Sequence, residues 1–472
     1  MQSIADNGRT STGEAILDVT AIIDRNPVGA AQMKIIALCC ATSLLDGFDT
    51  MVMSFLAPSI SQGWHASHGA FGIVFSATLL GGAIGATGLG LLADRFGRKA
   101  LILAAVTWFA ALTLGCALSM TLQQLIVLRF LAGVGLGGAI PNILALAGEY
   151  APARRRSTVV AIVTWGTPLG AVLGGLLAGP MVQAWGWRSV MLLAGIAPIA
   201  LLPGLLLTMP ESARFLALSQ ANAVRLRALL TRICPSEKIP PDAQFTIAET
   251  TPRRGGLDAL FRDGLGWGTT LLSAAMFMSL VLSFFLVNWS PTLLSQAGLP
   301  MKDAILGTIV LNLSGVVGSL FIARWIDGKV NGAAVLGFAY LGAVLSIVLT
   351  GLATSTPRLH LAPVLIGLGA AGFFLIGSQI TLSAYITGFF PTAIRATGVG
   401  FNNAFARLGS LLGPAAGGIL LGAGVGPSQL IVGSALPGGL SAALLFLLAA
   451  RQSGHLGRYR GDPALPAGVI KP

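Results

Sequence analysis

Residues 34–57 read KIIALCCATSLLDGFDTMVMSFLA, an apolar run broken near its middle only by Asp46 and Asp49. About 20 apolar residues cross a bilayer core. This stretch therefore reads as a membrane span with two carboxylates close to the midplane. Eleven more apolar segments follow, at roughly 69–92, 100–119, 122–148, 157–180, 189–209, 267–289, 303–323, 332–353, 361–388, 397–422 and 428–450. The fold class is thus an all-α membrane protein of twelve transmembrane helices. Composition agrees. Of the 472 residues 54% are hydrophobic and 10% charged, whereas a soluble domain carries about a quarter charged residues. So few charges cannot clothe a chain of this size in water, so the apolar surplus must face lipid.

The 62 glycines suit closely packed membrane helices. Cys39, Cys40 and Cys116 fall in apolar segments and Cys234 in the central loop. They read as small buried hydrophobes, with neither a disulfide framework nor metal-ligand spacing. No metal or other cofactor is expected.

Charge placement sets the topology. With the N-terminus inside, the inner segments carry 24 of the 29 lysines and arginines. The outer loops carry Arg188, Lys302 and Arg358, and two arginines lie within helices. Basic residues flank the cytoplasmic ends of spans, so both termini are expected in the cytoplasm, with the chain in a bacterial inner membrane. The net charge of +12 then follows from topology, without a nucleic-acid partner. The polar start, with Asp6, Glu14, Asp18 and Asp24, is unlike a cleaved signal. Five regions result: a cytoplasmic tail (1–33), a six-helix bundle (34–209), a cytoplasmic central loop (210–266), a second six-helix bundle (267–450) and a cytoplasmic tail (451–472).

The bundles repeat one another. An offset of 239 residues takes Pro152, Arg156 and Thr158 to Pro391, Arg395 and Thr397, and Gly170, Gly174 and Gly179 to Gly409, Gly413 and Gly418. Asp94 follows Gly85 by nine residues, as Asp327 follows Gly318. Two pseudo-symmetric bundles around a central site form a transporter architecture.

The loop between spans 2 and 3 reads Gly90-Leu-Leu-Ala-Asp94-Arg95-Phe-Gly97-Arg98-Lys99. It resembles the signature loop of the major facilitator superfamily and implies the major facilitator fold. Charges there can pair across the cytoplasmic face and lock the halves shut. Candidate gate residues are Asp94, Arg95, Arg98, Lys99, Glu149, Arg156, Asp327 and Arg395, with Glu149 expected in a network with Arg154 to Arg156. Anchoring of topology is the plainer role for the basic members. Together with Leu44-Leu45-Asp46-Gly47-Phe48-Asp49, Arg154 to Thr158, Pro210-Glu211-Ser212 and Arg395-Ala-Thr-Gly-Val-Gly, the chain resembles the aromatic acid:proton symporter family from about Lys34 to Arg451. That resemblance implies import of benzoate, hydroxybenzoates or related acids. Where relatives often show Asp-Arg followed by His, this chain has Asp327-Gly328-Lys329, so its second gate is expected to be weaker or differently built.

An ionisable side chain at mid-bilayer costs about 2.5–3.5 kcal/mol and usually marks a pathway. Asp46 and Asp49 share a helix face at i, i+3. Two carboxylates this close resist ionising together in a low-dielectric site, which suits them to carry a proton. The plainer role is pairing with an arginine to hold the bundle. Arg129 in span 4 and Arg407 in span 11 can each grip a carboxylate by two parallel hydrogen bonds. Either could take the substrate and the other an aspartate, while snorkelling to a headgroup is the alternative for Arg129.

An aromatic ring wants apolar and aromatic walls with a few polar contacts. Phe285, Asn288 and Trp289 in span 7 could provide them, though Trp289 equally suits an interfacial belt. Gln379, Tyr385, Asn402 and Asn403 are further pocket candidates, or simply glue between helices. The glycines and prolines of spans 5 and 11 are assigned to a rocking interface between halves.

The expected function is proton-coupled symport of an aromatic carboxylate by alternating access, in a monomer whose partners are the substrate, protons and lipid. Replacing Asp49 by Asn should abolish pH-dependent accumulation. Rivals are a carrier for a sugar or dicarboxylate and a sensor built on the same fold. An enzyme is not expected, since no nucleophile–base pair, metal cluster or phosphate loop is present and His65, His68, His360 and His455 fall in loops or the tail.

Overall fold

The computed structural model describes residues 16–218, 222–237, 239–240, 243–246, 257–262, 264–326, 331–356, 360–391 and 394–459. Twelve helical stretches among them are long and apolar enough to cross a membrane. They are α1 (Ala30–Trp64), α2 (Phe71–Phe96), α3 (Arg98–Ala117), α4 (Leu122–Glu149), α5 (Ala153–Trp185), α6 (Trp187–Thr208), α7 (Leu265–Gln296), α8 (Met301–Ile326), α9 (Gly332–Thr354), α10 (Leu361–Phe389), α11 (Arg395–Gly422) and α12 (Ala435–Tyr459), the last entered through a short helix at Pro427–Gly433. Several run past the predicted ends. α1 starts at Ala30, before the expected Lys34, because Gly29 N–H donates to Gln32 Oε1 at 2.7 Å and satisfies an orphan donor of its first turn. Helix α12 continues to Tyr459, into the region expected to be tail.

An even number of spans returns both ends to one face, here called the termini face, opposite the far face. Glycine brings the helices of each half into backbone contact. A Cβ on Gly85 would lie 1.9 Å from the Val134 carbonyl oxygen, and one on Gly318 would lie 2.1 Å from that of Phe373. Thus α2 packs on α4, and α8 on α10, as pseudo-symmetric partners. The repeat glycines Gly170 and Gly409 do likewise for α1–α5 and α7–α11, where a Cβ would meet the oxygens of Leu44 and Phe277. Both serve packing within a half, and for Gly170 this takes the place of the expected rocking interface between halves. Contact between halves falls to their neighbours near the far face. Gly418 of α11 rests against Gly69 and Gly72 at the start of α2, and Gly175 of α5 sits on Ile305 and Ile309 of α8. Ser76 Oγ–H donates across to the Leu411 carbonyl at 3.1 Å, and Phe75 stands edge-on to Trp289. The halves are therefore sealed together at the far face.

The outer circumference is apolar, with Leu207, Ile366 and Ile419 among the exposed residues, as a lipid-facing surface requires.

The N-terminal segment departs from the expected polar tail. Ile16–Asp18 forms a strand paired in parallel with Gln244–Thr246 of the central segment. Asp18 then caps a short helix, Val19–Arg25, by accepting from Thr20 N–H at 2.9 Å. Val19, Ile22 and Ile23 are buried with Leu226, Leu230 and Ile233 of the amphipathic helix Ala223–Ile233. The two polar regions thus fold together as a cap on the first half. Cys234 lies beneath it, and burial, with Glu237 alongside, pushes its thiol up to about 11. In a chain whose other three cysteines are replaced by serine, Cys234 is expected to react slowly with maleimide near pH 7.5. Ile23→Asp, which forces a charge into this core, is expected to make labelling fast. Equal labelling rates would show that the cap does not shield it.

Candidate substrate and proton site

Asp46 and Asp49 part company in the structure. Residues at i, i+3 point about 60° apart around a helix, which here separates a cavity from a bundle interior. Asp49 has no exposed surface and points between α3 and α4. Thr113 Oγ1–H donates to its Oδ1 at 2.8 Å. Arg129 Nη1 donates to both carboxylate oxygens, at 3.2 and 3.1 Å, and Nη2 donates to the Asp49 carbonyl at 2.9 Å. Arg129 Nε reaches Thr78 Oγ1 at 3.4 Å. Both partners of this ion pair are 0% exposed. Arg129 is therefore the latch of Asp49 and does not snorkel to a headgroup.

Asp46 faces the other way. It lines a cavity of about 450 Å³ between the two halves, closed toward the far face by the contacts above. Gly47 permits this placement. A Cβ there would lie 2.0 Å from the Thr167 carbonyl, so α5 presses onto α1 and sets Thr167 in the wall beside Asp46. The opposite wall is a stripe on α11, Asn403, Ala406, Arg407 and Ser410, spaced to share one helix face. Met276, Leu280 and Phe284 of α7 and Leu136, Ile140, Pro141 and Leu144 of α4 supply apolar surface. Arg407 Nη1 donates to the Gly82 carbonyl of the other half at 3.4 Å. Asp46 and Arg407 line this one cavity, yet no ion pair or hydrogen bond to Asp46 occurs among the described residues. The cavity therefore presents one carboxylate and one guanidinium from opposite halves, neither held by the other.

Most other predicted pocket residues lie elsewhere. Trp289 is fully buried and donates from Nε1 to the Pro414 carbonyl at 3.0 Å, so it is neither a cavity wall nor an interfacial belt. Phe285 packs at the α7–α11 contact beside Gly413 and Gly417. Asn288 Nδ2 donates to the Phe284 carbonyl of its own helix at 2.8 Å. Gln379 Oε1 accepts from Ser283 at 2.5 Å. Tyr385 bonds Gln452 near the termini face, and Asn402 accepts from Ser273 at 3.1 Å. Phe284, one residue before Phe285, takes the wall position, because one residue along a helix turns a side chain by about 100°.

Among the described residues, the gate candidates Arg98, Lys99, Glu149 and Arg156 make ties within the first half. Arg98 pairs with Glu149, whose other oxygen accepts from Ser212 at 2.6 Å. Lys99 N–H donates to Glu211 at 3.0 Å, and its Nζ donates to the Leu206 carbonyl. Gly97 joins α2 to α3 at φ 88°, and a Cβ there would lie 2.5 Å from the Glu211 carboxylate. Arg156 donates to the Gly148 carbonyl at 3.0 Å and lies 3.8 Å from Asp24. Glu149 thus bonds to Arg98 and not to the expected run of Arg154 to Arg156. Arg95 stacks on Phe96, and Arg395 Nε donates to the Phe390 carbonyl at 3.3 Å. Asp327 and the Asp94 side chain lie outside the described residues.

Two bundles of six helices, closed at one face around a charged cavity, have the architecture of a membrane transport protein. The family described as Major Facilitator Superfamily matches residues 38–383. The gallate transporter of Pseudomonas putida is 39% identical over 456 residues, covering 96% of this chain and 98% of that protein. The 4-hydroxybenzoate transporter PcaK of Pseudomonas aeruginosa is 35% identical, covering 91% and 95%. Among solved structures, a bacterial homolog to the human lysosomal transporter Spinster, in an inward-facing and occupied conformation, superposes with a TM-score of 0.67 at 17% identity, covering 90% of this chain and 98% of that one. The chain belongs to the major facilitator superfamily, in the branch that holds these transporters of aromatic acids.

Proposed function

We propose that this carrier imports an aromatic carboxylic acid of the benzoate and hydroxybenzoate class together with a proton, across a bacterial inner membrane and with both termini in the cytoplasm. The observation that carries this reading is Asp46, without a hydrogen-bond or ion-pair partner among the described residues, facing Arg407 across the cavity shared by the halves. The relatives transport such acids, and the apolar walls with Phe284 suit a ring.

In this scheme Asp49 and Arg129 hold each other throughout the cycle and fix α1 against α3 and α4. Facing outward, Asp46 takes a proton, which frees Arg407 of its counter-charge to grip the substrate carboxylate. The loaded site carries no uncompensated charge, so the halves can rock. Facing the cytoplasm, the proton leaves Asp46, the carboxylate competes for Arg407, and the anion departs. One proton per monoanion moves no net charge, and a second would add about 2.3 kcal/mol of drive per 100 mV. The monomer contains every group the scheme requires.

Uptake into proteoliposomes with an imposed pH gradient, acid outside, tests the reading. Radiolabelled 4-hydroxybenzoate is expected to accumulate and to be competed by benzoates but not by sugars or dicarboxylates. Competition by a sugar or a dicarboxylate in place of the benzoates would refute it.

A further inference from the structure

A second cavity, of about 300 Å³, lies on the termini side of the central one and shares Leu144 with it. That size is at the lower end of small-molecule sites. Its walls continue the faces that line the central cavity. On α4, Gly137, Pro141 and Leu144 face the central cavity, and Leu144 and Gly148 face the second. These four positions fall within about 60° of one another around the helix. On α5, Thr167 faces the first cavity and Val160 and Arg156 the second, all within about 40°. The second cavity is thus the next chamber along one wall, toward the termini face. Val19, Thr20 and Ile23 of the cap line it from the other side.

The chamber holds three guanidinium groups, of Arg98, Arg156 and Arg214, against one carboxylate, of Glu149. Arg98 answers Glu149 through Nη1. Arg156 donates from Nε to the Gly148 carbonyl at 3.0 Å and stands 3.8 Å from the part-exposed Asp24. Its two Nη groups, which carry most of a guanidinium's N–H donors, make no hydrogen bond among the described residues. They present a fork that matches a carboxylate. Val19, Ile23, Leu144 and Val160 place apolar surface beside it. Such walls favour an anion with an apolar body over inorganic phosphate, whose lost hydration they cannot replace.

We infer that this chamber is a second binding site, for an organic carboxylate, where the anion pauses between Arg407 and the termini face. Arg156 grips the carboxylate, Arg98 and Arg214 add positive charge, and Ile23, Leu144 and Val160 flank the apolar body. The cap is then a wall of the transport path as well as a cover for the first half. The inference rests on the carboxylate transport proposed above and adds a site outside the central cavity.

Maleimide labelling of Thr20→Cys, in a full-length chain whose four native cysteines are replaced by serine, reports occupancy of the chamber. At about ten times its Kd a ligand fills about nine tenths of a site, so 4-hydroxybenzoate is expected to slow labelling by up to roughly tenfold. Adding Arg407→Gln, which removes the anchor of the central cavity, is expected to leave that protection in place. Arg156→Gln is expected to abolish it, and Arg156→Lys, which keeps the charge, to retain part of it. Phosphate at matched ionic strength, and 4-hydroxybenzyl alcohol, which lacks the carboxylate, are expected to protect little. Protection is read as a ratio of rates within each variant, so it does not depend on the amount of protein. Protection absent from the parent chain or from Arg156→Lys, lost with Arg407→Gln, kept in Arg156→Gln, or matched by phosphate or the alcohol overturns the inference and leaves transport through the central cavity standing. Competition by sugars or dicarboxylates in the uptake assay above overturns the transport reading instead.

Discussion

Arg129→Gln is expected to lower the stability of the folded carrier by about 3–5 kcal/mol, and adding Asp49→Asn to the same chain is expected to restore most of it. The pair is wholly buried, and losing one partner strands a charge in a low-dielectric interior. Thr113 alone would remain to answer the Asp49 carboxylate. Removing both charges exchanges the ion pair for two amides of similar size, which can bond each other and the same neighbours. The two substitutions should therefore be strongly non-additive, as residues in direct contact are. Thermal unfolding of the four detergent-purified proteins checks this. Single variants within about 1 kcal/mol of wild type, or a double variant showing the sum of both losses, would mean that the pair is not the latch described.

Asp46→Asn should leave a folded carrier that can no longer concentrate its substrate. Asparagine keeps the shape of the side chain but cannot bind or release a proton across the working pH range. In the variant Arg407 permanently lacks the opposing carboxylate and stays available to the substrate anion. Exchange of external for internal substrate needs no net proton movement, so it should persist. Accumulation against a gradient needs the proton in the proposed scheme, so it should fall to the equilibrium level. Among the described residues Asp46 also makes no hydrogen bond whose loss would destabilise the bundle. The two aspartates are thus expected to fail in different ways, Asp49 in folding and Asp46 in coupling.

The membrane spans were legible because apolar length is a property of composition, summed over about 20 residues. The charged residues of α1, α4 and α11 were legible for a related reason, since each is conspicuous in an apolar run. Their division of labour was not. Spacing put Asp46 and Asp49 on one face, but only the positions of α3 and α4 decide that Asp49 meets Arg129 while Asp46 meets the cavity. The cluster of aromatic and amide groups at Phe285, Asn288 and Trp289 suggests a pocket in the sequence, yet helix rotation turns Phe284 to the cavity and the others to packing contacts. The cap built from Ile16–Asp18, Val19–Arg25, Ala223–Ile233 and Gln244–Thr246 was not legible because its strand pairing links segments more than 200 residues apart. The apolar spacing of Val19, Ile22 and Ile23 was the available clue.

In the proposed scheme Asp46 carries the proton into a cavity where Arg407 receives the anion. The most direct test follows radiolabelled 4-hydroxybenzoate in proteoliposomes of Asp46→Asn, with and without a pH gradient, beside counterflow into vesicles preloaded with the unlabelled acid. The prediction is counterflow at a rate comparable to wild type and no response to the gradient. Gradient-driven accumulation equal to that of wild type would contradict it.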